Sequence, residues 1–354
     1  MLTSDNNPSS DDSITLVGPY RVGAPIGMGV TANVLEGVHV DTGERVALKI
    51  LSAEWAEQAE MVSRFVREGR ALQRLKHPNI VRVIDHGVTD YGAPWIALER
   101  LRAITLATLI QESGRLEPAR AVRLVIDVAR ALGAVHAAGI VHRDIKPENV
   151  LVVDPHSPSE SAKLIDFGIA KVTAAELGEN SNASLTRAGA VLGSIAFASP
   201  EQLGGGKVDA RSDVFALAVT LYEALSGELP FDGHTVEQQV HARRTGAVVP
   251  LARRGVTVPR ALGEFFVSAL STDVMQRPAD GQAMYRMLAA LLPELDSRHR
   301  ATPSLRPATA PRPPGRVGTL TIVMIVLAVL IGLALAAHLL HLLPAWHRPA
   351  WLLR

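Results

Sequence analysis

Cysteine occurs nowhere in the 354 residues, which excludes a disulfide scaffold, thiolate-bound zinc, iron–sulfur clusters and a cysteine nucleophile together. The chemistry must come from oxygen and nitrogen groups. No charge of one sign dominates either: 36 Lys and Arg stand against 35 Asp and Glu, a formal net charge of +1, so there is no overall electrostatic case for a nucleic-acid partner. Charged residues make up only 20% of the chain and apolar residues 47%, and the mean hydropathy of +0.17 points to one concentrated greasy segment. The length is enough for about two domains with proper cores.

The opening run MLTSDNNPSSDDS is polar and acidic, without the basic and apolar regions of a secretory signal, and reads as a disordered arm over residues 1–17. Dense patterning follows over 18–293. A Pro/Arg-rich linker spans 294–317, with five prolines between Ala301 and Arg316. Thr319 to Ala337 is then free of charge for nineteen residues, close to the roughly 30 Å hydrocarbon thickness at about 1.5 Å per residue, so a transmembrane helix is expected over 318–343. Arg298, Arg300, Arg306, Arg312 and Arg316 precede this span with no acid among them, whereas only Arg348 and Arg354 follow it. The reading is a single-pass protein of the cell membrane, its N-terminal region cytoplasmic and residues 344–354 a short external tail. Ala328, Gly332 and Ala336 recur every four residues on one face, a spacing that permits two copies to pair as a homodimer.

Short β-branched runs broken by turn signals between Tyr20 and Leu51 suggest an antiparallel start. The first ends in IGMGVTANV, where Gly27 and Gly29 suit either an ordinary hairpin turn or a close backbone approach to a phosphate chain. No Walker-type GxxxxGK[ST] occurs to support a P-loop. HRDIKPENVL (His142 to Leu151) and LIDFG (Leu164 to Gly168) are more specific. They set two acids and an amide at the spacings that phosphoryl transfer uses.

With VALK upstream and ASPEQ downstream, the chain resembles the eukaryotic-type protein Ser/Thr kinases, in particular their bacterial membrane-anchored branch. The resemblance implies an α+β, two-lobed kinase fold, with a small β-rich N-lobe and a larger helical C-lobe, plus the C-terminal transmembrane helix. It implies ATP and Mg2+ as cofactors, protein Ser and Thr as acceptors, membrane lipid around the span, and no nucleic acid. By position, Gly27 and Gly29 cover the phosphates, with Ala32 where a third glycine usually stands. Lys49 contacts the α and β phosphates and is held by Glu68, nineteen residues on, although the adjacent Gly69 weakens that helix. Asp144 takes or orients the hydroxyl proton and Lys146 stabilises the transferring phosphate. Asn149 and Asp166 are the magnesium ligands. Ile26, Val34, Ala47 and Leu151 sandwich adenine, or are equally ordinary core residues, and Glu99 to Leu101 form the hinge, with Leu98 as gatekeeper.

His142, Phe167 and Leu72 are assigned to packing, anchored on Asp213, and Glu201 is expected to pair with Arg277. Thirty-six residues from Asp166 to Glu201 form an activation segment. Within it Thr186 and Ser184 are the regulatory phosphosite candidates, and Arg143 is the cation that would receive the phosphate. The competing reading is a pseudokinase scaffold that binds nucleotide or partners without turnover; such proteins usually lack a catalytic residue, and none is missing from this set.

Overall fold

A computed structural model describes residues 15–29, 31–166, 195–233 and 235–301. Most of the activation segment, with Phe167, Ser184 and Thr186, lies outside the described residues, as do most of the linker and all of the expected span and tail. No helix among the described residues is long and apolar enough to cross a membrane. The chain divides into two compact units, Met1–His299 and Arg300–Arg354, and the fold below belongs to the first, apart from the last residues of its final helix.

The smaller lobe is a six-stranded antiparallel sheet in the order β1-β2-β3-β4-β6-β5: β1 Leu16–Val17, β2 Tyr20–Met28, β3 Ala32–His39, β4 Arg45–Leu51, β5 Val83–Val88 and β6 Pro94–Glu99. Alternation in RVALKIL explains its two faces. Val46, Leu48 and Ile50 enter a small core with Tyr20 and Trp95, leaving Ala47 and Lys49 on the opposite face. The folded region begins earlier than the expected boundary at 18. Val17 is buried in that small core and pairs with Tyr20, the chain reversing at Gly18 with φ 55°. One buried apolar side chain outweighs the polar run before it.

Helix α1 (Ala53–Ala56) leads into α2 (Ala59–Arg74), which packs on β5 and β6. Gly69 does not break α2. A Cβ there would lie 3.0 Å from Ile96 Cδ1, so the missing side chain lets the helix approach the sheet closely.

The larger lobe is built around α6 (Ala210–Ser226), capped at its start by Asp209 and at its end by left-handed Gly227. It is apolar on nearly all sides and buried on nearly all sides, which makes it the central post. Around it stand α3 (Leu106–Ser113), α4 (Pro118–Ala137), α5 (Pro200–Leu203), α7 (Val236–Thr245), α8 (Arg260–Ala269) and α9 (Gly281–Ala301). A three-stranded sheet, β7 Ala103–Thr105, β8 Val150–Val153 and β9 Ser161–Leu164, completes the lobe. Helix α9 continues through Pro293, past the boundary expected there, with Leu295 buried beyond it.

Candidate active site

The site is hung from α6. Asp213, 1% exposed, accepts from the backbone N–H groups of His142 at 2.7 Å and Arg143 at 2.8 Å, and its Oδ2 lies 2.9 Å from His136 Nε2. Both carboxylate oxygens are thereby committed to holding one loop. Arg143 follows with φ 68°, a left-handed conformation that a non-glycine residue adopts at a cost and that redirects the chain into Asp144.

Asp144 is the focus of that loop. Asn149 Nδ2 donates to its backbone oxygen at 2.7 Å and to its Oδ2 at 3.0 Å, and Lys146 Nζ lies 3.5 Å from the same Oδ2. With both bonds from Asn149 drawn through Nδ2, the carbonyl oxygen Oδ1 is the atom left to meet a cation. The backbone N–H of Ile165 donates to the Asn149 carbonyl at 3.0 Å, which brings the end of β9, and so Asp166, beside Asn149. Asp166 also takes a left-handed φ, 52°. Its Oδ1 accepts from Lys49 Nζ at 2.6 Å while the side chain stays 41% exposed. Lys49, 12% exposed, also sits 5.7 Å from the Phe65 ring of α2. Glu68 lies on α2, but its side chain falls outside the described residues.

The structure thus brings Lys49, Asp144, Lys146, Asn149 and Asp166 together, although Lys49 and Asp166 are 117 positions apart. Among the described residues no group of three or more His, Cys, Asp or Glu side chains forms a metal cage. Asp166 and Asn149 offer two hard oxygens, which fit magnesium because that ion keeps waters and phosphate oxygens in most of its shell. His142 acts as packing. It is fully buried, burial pushes its pKa below the usual histidine range, and its Nε2 contacts the Ile165 carbonyl at 3.3 Å.

The two glycines of the first hairpin differ. Gly29 N–H donates to the Ala32 carbonyl at 3.1 Å, and a Cβ there would sit 2.7 Å from that oxygen, so the turn itself requires glycine. At Gly27 a Cβ would meet nothing within 4 Å; local packing leaves that position open. Val34 pairs across the sheet with Lys49, and Ala47 with Leu98. Leu151 lies on β8 opposite Lys163 of β9, and Ile26 on β2 is 42% exposed. Along the hinge, Glu99 Oε1 accepts from Lys163 Nζ at 2.7 Å and from the Arg82 N–H at 2.9 Å. Arg100 donates to Glu36 at 2.9 Å and to the Leu101 carbonyl at 2.7 Å.

Arg277, its side chain fully buried, makes a two-pronged ion pair with Glu201 at 2.8 and 3.0 Å, as expected. Sequence reasoning missed the Lys163–Glu99 pair and a cavity of about 360 Å³ beside the catalytic loop, lined by Glu148 and Glu223 among others. Among the described residues Glu223 Oε2 is buried without a hydrogen-bond partner. Burial, aided by repulsion from Glu148, raises the Glu223 carboxyl to about 7. A carboxylate at a helical position in an apolar run was the only signal.

The sequence pattern that defines the protein kinase domain matches residues 20–288. The chain belongs to the protein kinase family. It is 36% identical over 305 residues to the serine/threonine-protein kinase pkn2 of Myxococcus xanthus, covering 85% of this chain and 36% of that protein. It is 34% identical over 313 residues to pkn3 of the same organism, covering 86% and 57%. With the serine/threonine-protein kinase PknL of Mycobacterium tuberculosis it shares 36% over 285 residues, covering 80% and 68%. The chain therefore spans between about a third and two thirds of the length of these relatives. A crystal structure of Rad53 1–466 in complex with AMP-PNP superposes with a TM-score of 0.62 at 24% identity, over 77% of this chain and 65% of that one. The kinase fold seen here is thus the two-lobed one the motifs imply.

Proposed function

We propose that this chain is a membrane-anchored Ser/Thr protein kinase that transfers the γ-phosphate of ATP to protein hydroxyls and phosphorylates its own activation segment at Thr186 or Ser184. The observation that carries the reading is the convergence of Asp144, Lys146 and Asn149 from one loop with Asp166, just past β9, and Lys49 from β4. Phosphoryl transfer has a loose transition state, so positioning and charge neutralisation outweigh strong basicity. The acceptor oxygen forms its bond to the γ-phosphorus as the bridge to the β-phosphate breaks, and the hydroxyl proton passes to the Asp144 carboxylate. Lys146, beside Asp144, faces the charge on the phosphate in flight. Lys49 holds the α and β phosphates, with Glu68 as its support on α2. Asn149 Oδ1 and Asp166 would hold magnesium, which supplies further neutralisation of the phosphate oxygens. Ile26, Val34, Ala47 and Leu151 offer the apolar walls for the base.

Preference for Ser and Thr rests on Lys146 and on the names of the relatives. Anchoring rests on the uncharged run from Thr319 to Ala337 and its arginine flank.

With labelled ATP and magnesium, the full chain is expected to label itself and a Ser/Thr acceptor. Asp144→Asn should cut this by about a hundredfold or more while leaving the thermal midpoint unchanged. Equal labelling by the variant would refute the assignment. For the anchor, the wild type should fractionate with membranes and the double variant Leu327→Arg, Leu330→Arg should not. A wild type found in the soluble fraction would overturn it.

A further inference from the structure

Arg243 of α7 is fully buried, and among the described residues no carboxylate pairs with it. Its guanidinium donates to the Ala196 carbonyl at 2.6 Å and to the Gln239 carbonyl at 3.2 Å, while Nε has no hydrogen-bond partner among the described residues. Desolvation lowers its pKa to about 10. A buried charge without a counter-charge is expensive, and an apolar side chain would fill the same volume at less cost. Stability therefore does not account for an arginine here. What the arginine adds is a donor that reaches Ala196, 47 positions away.

The guanidinium also lies 5.4 Å from the Phe231 ring. Phe231 stacks on Phe215 of α6, centroids 5.9 Å apart and planes 12° from parallel. The guanidinium of Arg277 lies 4.8 Å from the Phe215 ring. The four side chains form one buried column, cation, ring, ring, cation. Each ring has one cation over it, a contact that the ring quadrupole favours and that is strongest where water is absent. The two ends of the column hold two points of one segment: Arg243 bonds Ala196 and Arg277 bonds Glu201. In and just past this stretch Ser199 and Gln202 form a capping box at the start of α5, and Gln202 Nε2 donates to the Arg143 carbonyl at 3.2 Å. Arg143 directly precedes Asp144, so segment 196–202 forms the ground next to the proposed proton acceptor.

We propose that Arg243, Phe231, Phe215 and Arg277 act as a single clamp on segment 196–201, and that Arg243 is the positioning residue through which α7 sets where an incoming protein substrate lies against Asp144. Lys49 bonds Asp166 and lies against Phe65, whereas the column bonds Ala196 and Glu201, so the clamp governs the acceptor and not ATP. Its substrate part rests on the kinase reading; its structural part does not.

The test uses the full chain as wild type, Arg243→Met and Arg243→Lys, with dephosphorylated casein as a general Ser/Thr acceptor and amide hydrogen exchange as a second readout. In Arg243→Met, exchange over 195–203 should quicken by about tenfold while α4 and α6 keep their protection. KM for casein should rise about tenfold, and KM for ATP and the rate of ATP hydrolysis by water should stay within about twofold. Arg243→Lys, which keeps a charge and one donor, should recover part of both effects. Unchanged exchange over 195–203, faster exchange spread evenly through the lobe, or a lysine variant no better than methionine would each overturn the clamp. If Arg243→Met does not fold, Phe231→Leu removes the ring between the cations but no donor, and faster exchange over 195–203 is expected of it too. A wild type that transfers no phosphate would refute the kinase reading, while the exchange result would still decide the clamp.

Discussion

Replacing Glu223 with glutamine should stabilise the protein at alkaline pH and leave it nearly unchanged in mild acid. Burial and the neighbouring Glu148 raise the carboxyl from 4.5 to about 7, so the folded state keeps a proton that the unfolded chain releases. Folding stability is then greatest below 4.5 and falls as pH climbs from 4.5 through about 7, above which the loss is complete. The gap of about 2.5 pKa units, at about 1.4 kcal/mol each, sets an upper limit of about 3.5 kcal/mol. Glutamine has nearly the same shape and no charge, so above neutrality it escapes this penalty. Below 4.5 it replaces a carboxyl that is already neutral. For a domain of this size the gain should reach about 5 °C in thermal midpoint at pH about 9 and vanish near pH about 4.5. Scanning fluorimetry of both proteins across that range reads the difference directly. A gain that is flat with pH, or a loss at alkaline pH, would refute the account. Glu148→Gln offers an internal control: without its negative neighbour Glu223 should titrate lower, and the alkaline gain from Glu223→Gln should shrink.

Other perturbations follow from the same contacts. Burial raises the Glu201 pKa, but the hydrogen bonds from Arg277 and Ser212 win and hold it below 4.5. Glu201→Gln leaves Arg277 buried and uncompensated and should cost about 3 kcal/mol in urea unfolding at neutral pH. That cost should fade as pH falls below 4.5, where the wild-type carboxylate is itself lost; an acid-insensitive cost would argue against the pair. Gly281→Ala would set a Cβ 2.5 Å from the Gly133 nitrogen and 2.6 Å from the Ala129 carbonyl, backbone that cannot step aside. It should separate α9 from α4 and cost about 2 kcal/mol, and an unchanged denaturation midpoint would contradict this.

What could be read from the chain before folding depended on how local the constraint was. HRDIKPENVL and LIDFG each carry their geometry within a few residues, since the loop shape is imposed by neighbours such as Asn149 bonding Asp144 five positions back. That Asp144, Asn149 and Asp166 come together was therefore legible. Glu201 with Arg277 was legible for another reason: the family motif supplies the partner across 76 positions. Arg243 had no such help. In VEQQVHARRT it is one of two adjacent arginines, and only the return of Ala196 beneath α7 distinguishes the buried one from its exposed neighbour. Glu223 was hidden likewise, because its shift arises first from burial and then from Glu148, both set by the packing of α6 under the catalytic loop. Two boundary readings moved for simpler reasons. A lone valine recruited β1 into the small core, and Pro293 proved compatible with a helix that buries Leu295 beyond it.

If residues 99–101 border the nucleotide as proposed, they have a consequence for ligand choice. Glu99 is held by Lys163 and the Arg82 amide, and Arg100 by Glu36 and the Leu101 carbonyl. With both charged side chains engaged elsewhere, a purine entering that crevice is left to be read by peptide groups along the hinge and by apolar neighbours such as Leu98. Main-chain donors and acceptors are the same whichever amino acid carries them. A competitive inhibitor that relies on them would be difficult to evade by substitution at 99 or 100, whereas one that reaches past Leu98 would meet resistance from a single bulkier residue at that position.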